Sequence, residues 1–255
     1  CCIKKWGLVS GLVCNKLGND ISGQNVIDEL ESLGVVGQFI KDENLTTPYE
    51  IVISDSRGGR TYIWDRKEDI LSTLEVADTS IIEVAKCAYA DWYDYPHNLT
   101  AIKEVLHQNI PLLINIEDQY QDFESIKKLV GLATWVQCTP NQTNNKHRQD
   151  ETCRQLLKEG VEGIIFTGSE EGCTWVTNSE SFAVKAPSVH LVDANGAGAV
   201  LSSGFLYGYS KGWDFETSCR FAVSAASLQC QEISPSALPV QRIIEVSQGL
   251  ETVRF

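Results

Sequence analysis

The stretch that decides the fold is Val192-Asp193-Ala194-Asn195-Gly196-Ala197-Gly198-Ala199, followed by an apolar segment over residues 200–209. Residues 189–192 have the composition of a strand, so the sequence predicts a strand, a turn of small residues and then a helix. Asn195 is the expected N-cap, because its side chain can accept a hydrogen bond from a backbone N–H group of the first helical turn.

Small residues at the start of a helix have two interpretations. The first backbone N–H groups of a helix have no internal partner, and the helix dipole is positive at that end. Because Gly196, Ala197 and Gly198 carry no bulky side chains, an anion such as phosphate could approach these N–H groups closely. The alternative is a glycine-rich turn that lets the helix pack against a sheet. Spacing alone favours neither interpretation.

Residues 192–231 resemble the C-terminal signature of the ribokinase-like (PfkB) carbohydrate kinases, Asp-Thr-x-Gly-Ala-Gly-Asp-Ala-Phe. The resemblance implies that Gly196, Ala197 and Gly198 form an anion hole. The Asp that follows in the family takes a proton from the acceptor hydroxyl, but here that position is Ala199. The downstream residues 204–208 keep the family's spacing, so no gap explains the difference. Since alanine cannot accept a proton, the resemblance implies an impaired or inactive kinase.

Five further segments resemble the same family, in the family's order. They are residues 16–23 (Gly-x-Asp-x-x-Gly), 47–61 (lid strands), 139–144 (Pro-Asn-x-x-Glu), 167–172 (Thr-x-Gly-x-x-Gly) and 221–227 (the small-residue helix beside the adenine). The resemblance therefore implies an α/β fold, a three-layer sandwich with a central, mostly parallel sheet and a small β lid.

The resemblance also implies ATP and Mg²⁺ as cofactors and a sugar or nucleoside as substrate. It assigns Asp193 to the substrate and the following residues to the nucleotide: Asn141, Thr167, Ser169, Gly172 and Ser224. Two positions depart from the family pattern. Ser169 replaces the middle glycine of the nucleotide loop. Asn144 stands where the family has a Glu that organises magnesium, and an amide brings no negative charge to a hard cation.

The composition of the chain indicates which binding partners are disfavoured and in which cellular compartment the protein is expected. The net charge of −13 argues against nucleic acid or an anionic membrane as the main partner. No apolar run approaches the roughly 20 residues of a membrane span. The nine cysteines are scattered and include no Cys-x-x-Cys pair, which predicts buried free thiols. We therefore expect a cytoplasmic protein, or one in an organellar stroma after loss of a transit peptide.

Hydrophobic patterning predicts alternating helices and strands, typical of a parallel sheet covered on both faces. Helices are predicted over residues 20–33, 98–107, 122–131, 150–159, 196–210, 215–231 and 240–246. Strands are predicted over residues 50–54, 60–64, 111–116, 133–138 and 163–166.

The predicted organisation is a single ribokinase-like domain over residues 1–255. The family's N-terminal strand and Gly-Gly motif are expected before Cys1 and are missing from the sequence. Residues 48–65 form the candidate lid, a hairpin around a turn at residues 56–59. An exposed lid hairpin is compatible with a homodimer formed through it.

Two other groups of residues could bind a ligand. Tyr89, Trp92, Tyr93 and Tyr95, with Asp91 and Asp94, follow a strand-like run, where open α/β sheets place ligands. Aromatic rings and carboxylates suit a polyol, although packing within a surface loop is the favoured interpretation. Glu117 and Asp118 follow the next predicted strand and could be metal ligands or part of a solvated acidic loop.

Three functional hypotheses follow. The first is ATP-dependent phosphotransfer to a hydroxyl of a sugar or nucleoside by a kinase that lacks its base. The second is a catalytically inactive pseudokinase that acts as a scaffold. The third is a subunit that binds a sugar or nucleotide without turnover. The departures at Ala199 and Asn144 favour the second, whereas the family resemblance favours the first.

Overall fold

The computed structural model describes residues 2–54, 60–139, 146–232 and 238–255. The chain divides into two compact units. Residues 3–85 and 94–108 form the first unit, and residues 86–93 and 109–255 form most of the second.

The first unit contains short strands and four helices among the described residues. Its helices are α1 (Cys2–Lys5), α2 (Ile21–Ser32), α3 (Glu68–Leu71) and α4 (Leu99–His107). Its strands are β1 (Leu17–Gly18), β2 (Lys41–Asp42), β3 (Tyr49–Ser54) and β4 (Arg60–Asp65).

The start of α2 explains the Gly-x-Asp-x-x-Gly spacing of Gly18, Asp20 and Gly23. Asp20 caps the helix by accepting the Gly23 N–H at 2.7 Å. The backbone N–H of Thr47 and its hydroxyl also donate to Asp20, at 2.9 and 2.8 Å. Hydrogen bonds from Thr47 and then Gly23 hold the pKa of Asp20 below its usual range. A Cβ at position 23 would lie 2.3 Å from the Gly18 carbonyl oxygen, so this contact requires glycine.

The predicted hairpin is confirmed. Strands β3 and β4 pair antiparallel, with Ile51 opposite Ile63. In the described part of the chain they form a sheet of their own, and both isoleucines are about half exposed. The predicted turn at residues 56–59 lies outside the described residues.

The second unit is an α/β sandwich. Its strands are β5 (Ala88–Asp91), β6 (Leu112–Glu117), β7 (Trp135–Cys138), β8 (Gly163–Thr167), β9 (Cys173–Val176), β10 (Ser181–Val184) and β11 (Thr252–Arg254). Its helices are α5 (Phe123–Val130), α6 (Lys146–Lys158), α7 (Ala197–Ser210), α8 (Phe215–Gln229) and α9 (Val240–Gln248).

The described strands of this unit form one seven-stranded sheet in the order β11-β10-β9-β8-β7-β6-β5. Strands β5 to β8 run parallel, as predicted, and their carboxyl ends therefore share one edge. Strands β9, β10 and β11 continue the sheet antiparallel. These three strands were not predicted from the sequence, although residues 173–176 and 181–184 alternate buried and partly exposed positions.

Aromatic packing fixes α7 and α8 against the sheet. The ring of Trp135 on β7 lies 5.3 Å from that of Phe205 on α7. Trp175 on β9 stacks on Phe215 of α8 at 4.7 Å. All but Phe215 are buried. Burial of large aromatic side chains is a major source of folding free energy, so this cluster determines where α7 starts relative to β7.

The strand predicted over residues 189–192 is wrong. The segment is not a strand in the structure and joins no sheet among the described residues. Instead, the N–H groups of Val192 and Asp193 both donate to the carbonyl of Cys230, at 2.8 and 3.1 Å. Because their backbone donors are used at the end of α8, these residues do not add to the sheet.

The seven helices predicted from the sequence are confirmed, and each begins and ends within four residues of the predicted bounds.

No helix in the described part of the chain is long and apolar enough to cross a membrane.

His97 joins three segments of the first unit. Its Nδ1 lies 2.7 Å from Glu75 and its Nε2 lies 3.1 Å from Glu68, which is on α3. Both ring nitrogens face a carboxylate, which favours the doubly protonated ring. Hydrogen bonding to Glu75, aided by the charge of Glu68, raises the pKa of His97 against the opposing effect of burial.

A raised pKa in the folded state makes stability depend on pH. The contribution of His97 is fully present below the unfolded pKa of about 6.5 and is lost as pH rises through the higher folded value. We expect wild-type melting temperature, measured from pH 5.5 to 8.5, to fall more steeply over this window than that of His97→Gln. His107→Gln is the matched control, because His107 is 79% exposed and 3.7 Å from its nearest carboxylate. Equal pH dependence in wild type and His97→Gln would contradict this account.

Candidate active site

Helix α7 begins with a glycine in a left-handed conformation. Gly196 occupies the N-cap position with φ +75°, and no side chain caps the helix there. The predicted N-cap, Asn195, is wrong by one residue. Its N–H donates to Asp193 Oδ1 at 2.8 Å, so the Asp193 carboxylate closes the turn that the Asn195 side chain was expected to cap.

The first turn of α7 leaves backbone donors available. The N–H of Ala197 reaches the Ala194 carbonyl at 3.3 Å, and that of Val200 reaches Gly196 at 3.0 Å. Within the described residues, the N–H groups of Gly198 and Ala199 have no acceptor. Such donors at the positive end of a fourteen-residue helix can bind an anion.

The space in front of these donors is open. Among the described residues, a Cβ at Gly196 would meet nothing within 4 Å, and one at Gly198 would meet only the Gln137 amide nitrogen, at 3.8 Å. Residues 195, 196, 198 and 199 are exposed. The small residues are thus not explained by close packing of the helix start on the sheet, as the alternative interpretation required.

Ala199 lies at the exposed start of the helix, where its methyl group offers no proton acceptor. Its carbonyl oxygen accepts the Ser203 hydroxyl at 2.8 Å. Asp193 is half-buried, and one of its oxygens is used in the turn. The predicted roles of both positions, missing base and substrate ligand, stay predictions.

Gln137 connects the sheet to the helix start. Its side chain on β7 donates from Nε2 to the Gly198 carbonyl at 3.3 Å. Its Oε1 accepts the Ser202 hydroxyl at 2.7 Å. Neither Gln137 nor Ser202 was predicted as a site residue. The signal was the glutamine inside the apolar run at residues 135–138, because a buried polar group needs hydrogen-bond partners.

The predicted nucleotide loop follows β8 at the same edge of the sheet. The Thr167 hydroxyl lies 3.1 Å from that of Thr139, which follows β7. Ser169 keeps a left-handed backbone (φ +52°) although it replaces the family's glycine. Gly172 has φ +87°, and a Cβ there would lie 2.0 Å from the Val184 carbonyl oxygen. The predicted nucleotide loop therefore makes its turn even though Ser169 stands at a position where the family has glycine.

The remaining predicted site residues are less accessible. Ser224 is fully buried in α8, and its hydroxyl has no partner among the described residues. Asn141 and Asn144 lie outside the described residues. The described part of the chain contains no group of three or more His, Cys, Asp and Glu residues that could hold a metal ion.

A second polar group lies at the carboxyl edge of the sheet. Asp91 and Glu117, predicted to follow strands, are instead the last residues of β5 and β6. Asp91 Oδ1 accepts the Tyr89 hydroxyl at 2.8 Å and the Asn115 amide at 3.0 Å. Glu117 has a left-handed backbone (φ +48°) and accepts the Tyr93 hydroxyl at 2.5 Å. Burial raises the pKa of the Glu117 carboxyl, with Asp91 and Asp118 adding to the effect and the Tyr93 hydrogen bond opposing it.

This order of elements agrees with the comparisons to known proteins. Residues 1–241 match the pfkB family carbohydrate kinases, and the chain belongs to that family.

The relatives are distant. The chain is 25% identical over 240 residues to a deoxyribokinase of Salmonella typhi, covering 85% of this chain and 74% of that one. A 5-dehydro-2-deoxygluconokinase of Clostridium beijerinckii is 25% identical over 131 residues, or 49% of this chain, and the match spans only 35% of that relative.

The fold agrees more closely than the sequence. A solved structure of an E. coli putative ribokinase II in complex with ATP and Mg²⁺ superposes with a TM-score of 0.81 at 17% identity. The match covers 96% of this chain and 85% of that one. The predicted ribokinase-like α/β fold is thereby confirmed.

Proposed function

We propose that this protein binds ATP with Mg²⁺ and transfers its terminal phosphoryl group to a hydroxyl of a sugar or nucleoside, at a rate limited by the missing base. The observation that carries the proposal is the start of α7, where the Gly198 and Ala199 N–H groups lack an acceptor among the described residues. In a member of this kinase family, an anion hole at this place has a chemical purpose.

The residues of the helix start would act by position and charge. As the acceptor oxygen bonds to the terminal phosphorus, the bond from phosphorus to the bridging oxygen breaks and ADP leaves. The N–H groups of Gly198 and Ala199 would stabilise the negative charge on the transferring group and the leaving side. Fixed donors of this kind need no reorganisation during the reaction, so they would support transfer even without a base.

The site has no side chain at position 199 that could accept the proton of the acceptor hydroxyl. A carboxylate there would take this proton, whereas the methyl group of Ala199 cannot. Loss of a general base typically lowers the rate by a factor of roughly 10²–10⁴. In the chain as it stands, we expect the proton to leave to water.

ATP would be held by the α7 start and the loop over residues 167–172. The left-handed Gly196 and the open space at its Cβ position fit a phosphate approaching the helix. Mg²⁺ would neutralise phosphate charge in the complex with ATP. Because the described residues contain no metal-binding cluster, we assign no step to a metal held by the protein.

Restoring the base tests this proposal. We expect Ala199→Asp to raise the rate of ADP release from ATP–Mg²⁺ by about 10²–10⁴ with the correct acceptor, the range for a general base. The assay is run against a panel of sugars and nucleosides, so the responding acceptor identifies the substrate. Ala199→Asn is the matched control, because it has the same shape as aspartate and cannot take the proton.

The outcomes separate the hypotheses. If Ala199→Asp raises the rate of ADP release and Ala199→Asn does not, the result supports a kinase site that lacks only its base. If neither variant nor wild type releases ADP, and ATP–Mg²⁺ does not raise the melting temperature of any of them, the kinase proposal is wrong.

A pseudokinase that acts as a scaffold or ligand-binding subunit is the second candidate. Ala199 and Asn144 both remove a carboxylate that the family pattern carries, and the buried Ser224 hydroxyl offers no open contact to a nucleotide. This candidate predicts binding of ATP or of a sugar without turnover, including in Ala199→Asp. A single domain, with the compartment named above, remains our expectation for either candidate.

We further propose that the β3–β4 hairpin is a lid that covers the acceptor and pairs two chains in a homodimer. One face of the hairpin carries Tyr49, Ile51, Ile53 and Ile63, each about half exposed. An isolated two-stranded hairpin is marginally stable in water, and exposed apolar strands favour association.

Light scattering after size exclusion tests the dimer. We expect wild type at twice the mass of one chain and Ile51→Lys at the mass of one chain, because the lysine charge would be buried in the contact. Glu50→Lys, on the opposite face of the same strand, is the control and should stay dimeric. A monomeric wild type would refute the dimer.

A further inference from the structure

Gln137 is the polar residue of a strand that is otherwise inaccessible to solvent. It is 1% exposed, and Val136 and Cys138 beside it are 0% exposed. Burying a primary amide without partners costs several kcal/mol on water-to-cyclohexane scales, so such a residue needs specific hydrogen bonds. An aliphatic residue would fill the same space without this requirement. The amide therefore has to be explained by what it contacts.

Both ends of the amide are used at the first turn of α7. Nε2 donates to the Gly198 carbonyl at 3.3 Å, and Oε1 accepts the Ser202 hydroxyl at 2.7 Å. The Ser202 oxygen also lies 3.0 Å from the Gly198 carbonyl oxygen, so the Gln137 amide, the Ser202 hydroxyl and the Gly198 carbonyl are all in mutual contact. The reverse orientation of the amide would place its oxygen against the Gly198 oxygen, so these contacts specify the orientation.

The bond to the Gly198 carbonyl acts on the anion hole through a rigid unit. The carbonyl of residue 198 and the N–H of residue 199 belong to the same planar peptide group and point in opposite directions. Holding the Gly198 C=O therefore also holds the Ala199 N–H, which points toward the open N-terminal end of α7. That N–H is one of the two donors without an acceptor among the described residues.

We propose that Gln137, with Ser202, is a positioning residue that aims the Ala199 N–H at a bound phosphate. This inference rests on the proposed function, since it specifies how the anion hole is held. Gln137 touches neither phosphate nor acceptor. Gln137 acts through the peptide group between residues 198 and 199. Its hydrogen bond also connects the start of α7 to β7 near the carboxyl edge of the sheet.

The chain offers a matched pair of serines for the test. The hydroxyl oxygens of Ser202 and Ser203 both lie within hydrogen-bond distance of the carbonyl four residues earlier, at 3.0 and 2.8 Å. The single Ser202 proton is shared between that carbonyl and Gln137 Oε1. Only Ser202 also meets Gln137. Ser202→Ala and Ser203→Ala thus remove the same kind of helix contact and differ in the link to the sheet.

The experiment measures dissociation constants for ATP–Mg²⁺ and for adenosine by calorimetry, in wild type, Gln137→Leu, Ser202→Ala and Ser203→Ala. We expect Gln137→Leu and Ser202→Ala to weaken ATP–Mg²⁺ binding by about tenfold, the scale of one hydrogen bond to a charged group. Adenosine, which has no phosphate, should bind all four proteins equally. Ser203→Ala should bind ATP–Mg²⁺ as wild type does.

A second readout does not depend on nucleotide. In the free protein, the amides of residues 200–203 donate to the carbonyl groups at the start of α7, as that of Val200 does to Gly196. Their hydrogen exchange should be faster in Gln137→Leu and Ser202→Ala than in wild type and Ser203→Ala. Unchanged exchange at these amides overturns the inference whatever the binding results are. Equal weakening of ATP and adenosine also overturns it, because the residue would then support the whole fold.

The proposed function fails separately. If wild type binds no ATP–Mg²⁺ while the exchange pattern is as expected, Gln137 still positions the turn but the turn is not a nucleotide site. If wild type binds ATP–Mg²⁺ and Gln137→Leu binds it with the same constant, the function stands and the positioning role is wrong.

Discussion

The structure depends on how the backbone enters α7. Only a left-handed residue at position 196 turns the chain from the segment held by Cys230 into the helix, and glycine adopts that conformation without strain. The Asp193 carboxylate closes the turn, and the Gln137 amide holds the following peptide. The result is a helix start whose Gly198 and Ala199 N–H groups have no acceptor in the described part of the chain. It lies at the carboxyl edge of the parallel strands, which is where the topology of an open α/β sheet places a ligand.

This arrangement separates two parts of phosphotransfer that the family signature joins in adjacent residues. Stabilising the anionic phosphate needs backbone N–H groups, and these do not depend on the side chain at position 199. Taking the acceptor proton needs a carboxylate, and Ala199 removes it. On the proposed function, the chain would keep nucleotide binding while losing most of its rate. Both proposed functions assume a site without its general base. They differ in whether the protein still transfers phosphate to an acceptor.

The sequence was sufficient for the elements whose signals are local. The apolar periodicity of α2 and α7, the buried runs of β6 to β8 and the β3–β4 hairpin were all predicted within a few residues. What could not be predicted depends on contacts far apart in the chain. Residues 189–192 have strand composition, yet their donors are used by Cys230, about 40 residues later. The role of Gln137 requires α7 to lie over β7, which an isolated apolar run with one glutamine does not reveal. Asn195 and Asp193 are both good capping residues, and only the left-handed Gly196 decides between them.

The central claim is that the Gly198 and Ala199 N–H groups bind the phosphates of ATP. The most direct test follows the backbone amide signals of ¹⁵N-labelled protein during titration with ATP–Mg²⁺ and, separately, with adenosine. The account predicts that the amide proton signals of Gly198 and Ala199 move downfield and saturate with ATP–Mg²⁺, and that adenosine leaves both in place. Saturable shifts elsewhere in the spectrum, with these two signals unmoved, would contradict it.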